Sequence, residues 1–313
     1  MNLLIQYTLL FASVLSLVAL GGCFAEHSGV INLGLEGIMV MGALGGAICM
    51  NILPSNVSTF TMIFMTTLAA MVTGMLFSIF LCVASINFKA DQTLIGTAMN
   101  MLAVALATII ARQMNSLADP GNVSNTLKYI EPKNRFIVNL HGFSFNWFML
   151  FALIALAASS FILYRTKFGL RLRACGENPQ AADSVGINVY QMRWAGVLIS
   201  GLLGGLGGIV YIMAGVSEWK FEVGVNGFGF LALAVMIFGQ WKPLNIGLAA
   251  LLFGFFRALS NVYTGFSWLA VLNIPSAVYN MLPYIISLIV LAFTSMNSAA
   301  PKSEGIPYDK GVR

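Results

Sequence analysis

Charge is what this chain has least of: acidic and basic side chains together make up 9% of it, against 58% hydrophobic residues and a mean hydropathy of +0.86. So little polarity cannot cover a soluble protein, and the composition therefore requires a polytopic membrane protein. The sequence also has no GxxxxGK[ST] phosphate loop, no HExxH and no GxSxG, and its histidines are limited to His27 and His141. Their absence removes the usual nucleotide, metal and nucleophile constellations, and no enzyme active site is readable. Cys23, Cys49, Cys82 and Cys175 include no CxxC pair, and three of them lie in or beside apolar runs, which excludes a disulfide framework and a zinc site. No Lys or Arg precedes Leu20-Gly21-Gly22-Cys23, so that stretch lacks the basic start of a lipoprotein signal.

What charge there is sits in loops and the tail. The net charge of +5 therefore reads as an orientation signal rather than a nucleic-acid surface, and no nucleic-acid partner is expected. Residues 165–192 form the main polar island: Arg165, Lys167, Arg171 and Arg173 come before any acid, the first being Glu177. Short Lys/Arg-rich loops stay on the cytoplasmic side, which sets the orientation of the chain. Asn178-Pro179 then supplies a helix cap and a first-turn proline, and Gly186 a stop, so a short helix is expected across the membrane surface.

Apolar runs long enough to cross a bilayer begin near Leu4, Glu36, Thr59, Thr93, Asn146, Arg193, Phe228, Leu244 and Tyr279, giving about nine spans in an all-α fold of 8–10. With the basic island inside, alternation places Lys89, Lys242 and the tail inside. Residues 114–145, residues 215–227 and the N-terminus fall outside. Residues 1–298 read as one transmembrane domain. Residues 114–145, with Asp119-Pro120-Gly121 and Glu131-Pro132, form its large external loop, holding a strand or short helix. Residues 299–313, with two Pro, two Gly and mixed charges, read as a disordered cytoplasmic tail.

A faint repeat runs through the chain. Shifted by 195 residues, Gly29-Val30, Gly34 and Val40-Met41 meet Gly224-Val225, Gly229 and Val235-Met236. An odd number of spans separates the copies, so they face opposite ways, as in transporters whose substrate sites lie at broken helices near the midplane. In the first copy, Gly29, Gly34 and Gly37 make poor continuous helix beside Asn32 and Glu36. Glu36 has two readings: an intramembrane carboxylate facing a pathway, or an interfacial cap on the helix it begins. Gln92, Asn100, Asn226 and Phe228 offer amides and an aromatic to a central cavity, or simply interhelical hydrogen bonds. Arg112 and Arg257 are expected to snorkel at outer helix ends. Gly201 and Gly205 have the GxxxG spacing of a close helix crossing.

Three stretches carry a resemblance: SGVINLGLEG from Ser28, RACGENPQAADSVGINV from Arg173, and GFGFLALAVMIFGQWKP from Gly227. They resemble permease subunits of type II ATP-binding-cassette (ABC) importers, in the branch serving sugars, branched-chain amino acids and nucleosides. The resemblance implies a multi-pass protein of the bacterial plasma membrane, working by alternating access. Its partners would be an ATPase subunit, a second permease subunit (the same chain or a sister) and a substrate-binding lipoprotein. ATP and Mg would be bound by the ATPase and no cofactor by this chain. It further implies that Gly176, Glu177, Asn178, Pro179, Ala181, Ala182 and Gly186 form a coupling helix seated in a cleft of the ATPase. Asn32, Glu36, Asn100, Asn226 and Phe228 are the candidates to line the substrate pathway. Within the branch, the first and third stretches look most like nucleoside permeases, with ribose-type sugar permeases next. An ion-coupled carrier using Glu36 is the alternative from another class, and the loop Gly176–Gly186 is a feature it would not require.

Overall fold

The computed structural model describes residues 2–54, 56–122, 124, 126–128, 135–140, 143–213, 218–221, 224–265, 276–294 and 299–311. Its helices are α1 (Asn2–His27), α2 (Leu35–Ile52), α3 (Thr59–Leu81, continued by a π-helical stretch Cys82–Asn87), α4 (Gln92–Ala118), α5 (Trp147–Arg165), α6 (Lys167–Glu177), α7 (Pro179–Ser184), α8 (Val189–Met213), α9 (Phe228–Phe238), α10 (Pro243–Val262) and α11 (Ser276–Thr294). Among the described residues, seven helices are long and apolar enough to cross a membrane: α1, α2, α3 with its extension, α4, α5, α8 and α10. The core lies where α1 packs along α8 and α10, and α8 along α2 and α3.

The two ends of the bundle differ in charge. His27, Lys89, α6, α7, Lys242 and residues 299–311 gather at one end, joined by contacts such as His27 Nε2 to Trp241 O at 3.1 Å and Trp194 Nε1 to Asn87 Oδ1 at 3.1 Å. This is the basic end, carrying Arg165, Lys167, Arg171 and Arg173, and by the positive-inside rule it faces the cytoplasm. At the other end, β1 (Thr126–Lys128) pairs antiparallel with β4 (Glu218–Lys220), and β2 (Ile137–Leu140) with β3 (Phe143–Asn146). Thr126–Lys128, Ile137–Leu140 and Phe143–Asn146 thus place apolar residues of this stretch in short strands.

The run beginning at Phe228 does not make a span. Helix α9 has 11 residues, about 16 Å of helix against a hydrocarbon core of roughly 30 Å. Before it the backbone turns through left-handed positions at Gly224 (φ 61), Asn226 (φ 52) and Gly227 (φ 77), where a helix cannot continue. Apolar composition alone had made this segment look continuous.

The repeat is visible in the packing. Gly29, at φ 91, matches Gly224 in its left-handed conformation. Helices α1 and α8 run antiparallel, with Gly21 against the Ser200 backbone and Gly207 against Val18. Helix α2 runs beside α8, and α9 runs beside α1, so each half lays its second helix on the first helix of the other. The N-termini of α2 and α9 meet inside the bundle, Gly229 abutting Glu36, and the two helices diverge toward opposite ends.

Gly205 sits where α8 crosses α2 and α3 backbone to backbone. A Cβ there would lie 2.3 Å from the Ala70 carbonyl oxygen, and one on Gly42 would lie 2.3 Å from the Gly205 Cα. Backbone meets backbone on both sides, so neither neighbour can rotate away. Gly205→Ala is expected to destabilise the detergent-solubilised chain by about 1–3 kcal/mol. An unchanged melting temperature would show that the α2–α3–α8 crossing is looser than this geometry.

The tail departs from the disordered end suggested by its composition. Ser303 N donates to Gly176 O at 2.8 Å, Gly305 N to Gly29 O at 3.2 Å, and Arg193 Nη1 to Ile306 O at 2.9 Å. Tyr308 is buried. Docking by backbone hydrogen bonds leaves little trace in composition, which is why the order is not legible there.

Candidate functional site

Two places combine polar chemistry with an exposed position: the short helix at the basic end, and the junction of α2 and α9 inside the bundle.

At the basic end, Thr166 caps α6 by accepting from Gly169 N at 3.1 Å, and Phe168, Leu172 and Cys175 form its inward stripe. The sequence reading expected only a polar loop here. One residue later Asn178 Oδ1 accepts from Ala181 N at 3.0 Å, Pro179 opens α7, and Gly186 at φ 83 closes it, as the cap and stop pattern predicts. The candidate contact residues then divide. Glu177, Asn178, Ala181 and Gly186 are exposed and Pro179 is half-buried, whereas Gly176 is buried against the His27 carbonyl and Ala182 is only 3% exposed. Ala182 packs with Cys175, Val189 and Tyr308. Gly176 and Ala182 therefore pack the helix against its own chain. A helix of six residues has too few turns to reveal its buried side by periodicity. The apolar tip of the outward face is Val185, 73% exposed, which the sequence reading passed over.

Beside the last turn of α6, Glu26 lies buried with its carboxylate accepting from Trp241 Nε1 and hydrogen-bonded to Glu304 of the tail. Burial pushes the Glu304 carboxyl above the ordinary carboxylate range. At the rim, a 2.7 Å ion pair with Asp309 raises the Lys89 ammonium and lowers the Asp309 carboxyl. Both groups stay charged across the neutral range.

Inside the bundle, Glu36 occupies the first turn of α2, yet its carboxylate caps a different helix. Gly227 N donates to Oε1 at 2.8 Å and Gly229 N to Oε2 at 2.6 Å. These are orphan amides of the α9 N-terminus, where the helix dipole also favours negative charge. The side chain thus lies between two helix N-termini. Beside it Asn226 is exposed and held in its left-handed conformation, Nδ2 donating to Tyr211 Oη at 2.8 Å while Tyr284 Oη donates to Asn226 O at 2.8 Å.

The other pathway candidates have structural partners. Asn32 is fully buried, donating to Ser200 Oγ at 2.9 Å and accepting from Gly34 N at 3.1 Å. Asn100 accepts from Gly37 N at 2.8 Å and donates to Leu33 O at 2.9 Å, while Gln92 accepts from Ile31 N at 2.7 Å. These three amides bind the irregular backbone of residues 28–34, whose groups cannot be left unpaired inside a membrane protein. Phe228 is fully buried, its ring 4.8 Å from Tyr211 and 5.8 Å from Phe11. Arg257 turns inward over Phe228 at 5.3 Å and does not snorkel outward, because the aromatic faces offer a cation a partner within the bundle. Of the five candidates, Glu36 and Asn226 place their polar atoms at the α2–α9 junction. Tyr211 and Tyr284, which complete it, lie in apolar runs and give no signal of their own.

The family model described as the branched-chain amino acid transport system / permease component matches residues 4–291. The chain belongs to this permease family. It is 39% identical to the guanosine ABC transporter permease protein NupQ of Bacillus subtilis (strain 168), over 100% of this chain and 98% of the relative. It is 36% identical to the nucleoside ABC transporter permease protein NupC of Lactococcus lactis subsp. cremoris (strain MG1363), over 99% and 98%. The putative glucose ABC transporter permease protein TsgC13 of Haloferax volcanii is 31% identical over 82% of this chain and 76% of the relative. No solved structure matches. As an ABC permease the chain is a non-catalytic, multi-pass membrane subunit, and its missing phosphate loop belongs with that role.

Proposed function

We propose that this permease carries nucleosides inward across the membrane, switching the α2–α9 junction between outward and inward access. The observation that carries the substrate class is full-length similarity to two relatives named for guanosine and nucleosides, at 39% and 36% identity. The chemistry of the junction is compatible: the Asn226 amide, the Glu36 carboxylate and the Tyr211 and Tyr284 hydroxyls suit a hydroxylated, ring-bearing solute. The exposed face of α7 is the docking element for a separate ATPase subunit, which binds ATP and Mg. A second permease subunit completes the path, and a substrate-binding lipoprotein delivers the solute from outside.

Uptake of labelled guanosine, adenosine and ribose by cells with the whole transporter, with this chain deleted and then restored, tests the proposal. Nucleoside uptake that follows the chain and withstands excess ribose is expected. Ribose uptake alone would move the assignment to sugars, the reading favoured by the similarity to TsgC13. Uptake lost on collapsing the proton gradient but indifferent to an inactive ATPase would replace both with an ion-coupled carrier.

A further inference from the structure

Helix α7 is too short to hold its own position. Helices of this length are marginal without tertiary support, and its one buried side chain, Ala182, packs against Cys175, Val189 and Tyr308. Tyr308 belongs to the tail, its ring 5.4 Å from that of Tyr190. From this anchor the tail runs back under the bundle. Arg193 Nη1 holds Ile306 O at 2.9 Å, and Gly305 N donates to Gly29 O at 3.2 Å. Ser303 N reaches Gly176 O at 2.8 Å and Ser303 Oγ reaches Glu177 O at 3.2 Å, one on each of the last two residues of α6. The Lys89–Asp309 pair at 2.7 Å ties the far end to the loop after α3.

The same six residues therefore touch the seat of α7 and the left-handed Gly29, where the irregular segment 28–34 begins. That segment leads through Asn32 and Gly34 to Glu36 and the α9 N-terminus. We propose that Ser303–Tyr308 is a strut that positions the docking helix and transmits its displacement to the broken-helix junction, acting through contiguous backbone contacts rather than by touching substrate or ATPase. Such a claim needs a measured coupling, since contiguity alone does not establish one. It rests on the reading of α7 as the ATPase-docking helix.

The test uses the complete transporter in proteoliposomes, with ATP hydrolysis and solute uptake measured on the same vesicles. Tyr308→Ala removes a buried ring, a change large enough to release a docked segment, and is expected to raise the ATP consumed per solute imported on the order of tenfold. The ATPase should still co-purify and hydrolyse, and Tyr308→Phe should restore the ratio. An unchanged ratio in Tyr308→Ala overturns the strut, and so does loss of the ATPase from that complex, because the tail would then serve docking itself. Val185→Asp separates the two readings: if that variant still retains the ATPase, the docking assignment fails instead. Should Tyr308→Ala not insert, hydrogen exchange on the unmodified transporter decides. Amides of Ser303–Gly305 and Gly29–Val30 are expected to change protection together on addition of ATP and vanadate, and independent behaviour overturns the proposal.

Discussion

Glu36→Gln is expected to slow uptake by the assembled transporter about 30-fold, the rate equivalent of about 2 kcal/mol, with the chain still inserted. The carboxylate accepts from Gly227 N and Gly229 N through different oxygens, and a glutamine side chain has only one oxygen to offer. Its NH2 group would face a backbone N–H, donor against donor, at the place where the two halves of the repeat meet. Charge-assisted bonds of this kind are about twice as strong as neutral ones, and the amide left without an acceptor bears the desolvation penalty. Glu36→Asp should fall between, since the shorter side chain keeps the charge but reaches only one helix end. Transport rates should be taken per inserted molecule. Equal rates for wild type and Glu36→Gln would mean that the junction does not change between states, and would remove Glu36 from the mechanism whatever its contacts.

The positions of the apolar helices were legible because hydropathy is summed over a whole element and tolerates local error. The runs read from Leu4, Thr59, Asn146 and Leu244 all became helices within a few residues of those starts. The turn chemistry of Asn178, Pro179 and Gly186 was equally direct, since each residue acts on its immediate neighbours. The length of α9 was hidden, because Phe228–Phe238 is apolar whether helix or unwound backbone precedes it. So was the partner of Glu36: Gly227 lies 191 residues away, and a backbone amide has no side chain to betray it. Asn32 and Asn100 show the opposite limit. Their residue types suggested a solute pathway, but the acceptor and donor needs of the irregular 28–34 backbone came first.

Val185→Asp is expected to release the ATPase subunit from the purified complex and to reduce uptake at least 100-fold, while leaving the permease as stable as wild type. The side chain is 73% exposed and extends from the C-terminal end of α7, so a carboxylate there meets water in the isolated chain and adds nothing to folding cost. In a docked complex the same carboxylate would be buried in the partner's cleft, where an unpaired charge is expensive, costing about 3–5 kcal/mol. Ala182→Glu provides the contrast. It forces a charge into the cluster of Cys175, Val189 and Tyr308, so it should lower the melting temperature of the permease alone before any partner is added. The two substitutions lie three residues apart on one short element, one at a buried position and the other at an exposed one. Release by Val185→Asp without loss of stability, and loss of stability by Ala182→Glu, would together establish which face the ATPase uses. Co-purification of the ATPase with Val185→Asp at wild-type yield would place its docking surface elsewhere on the basic end.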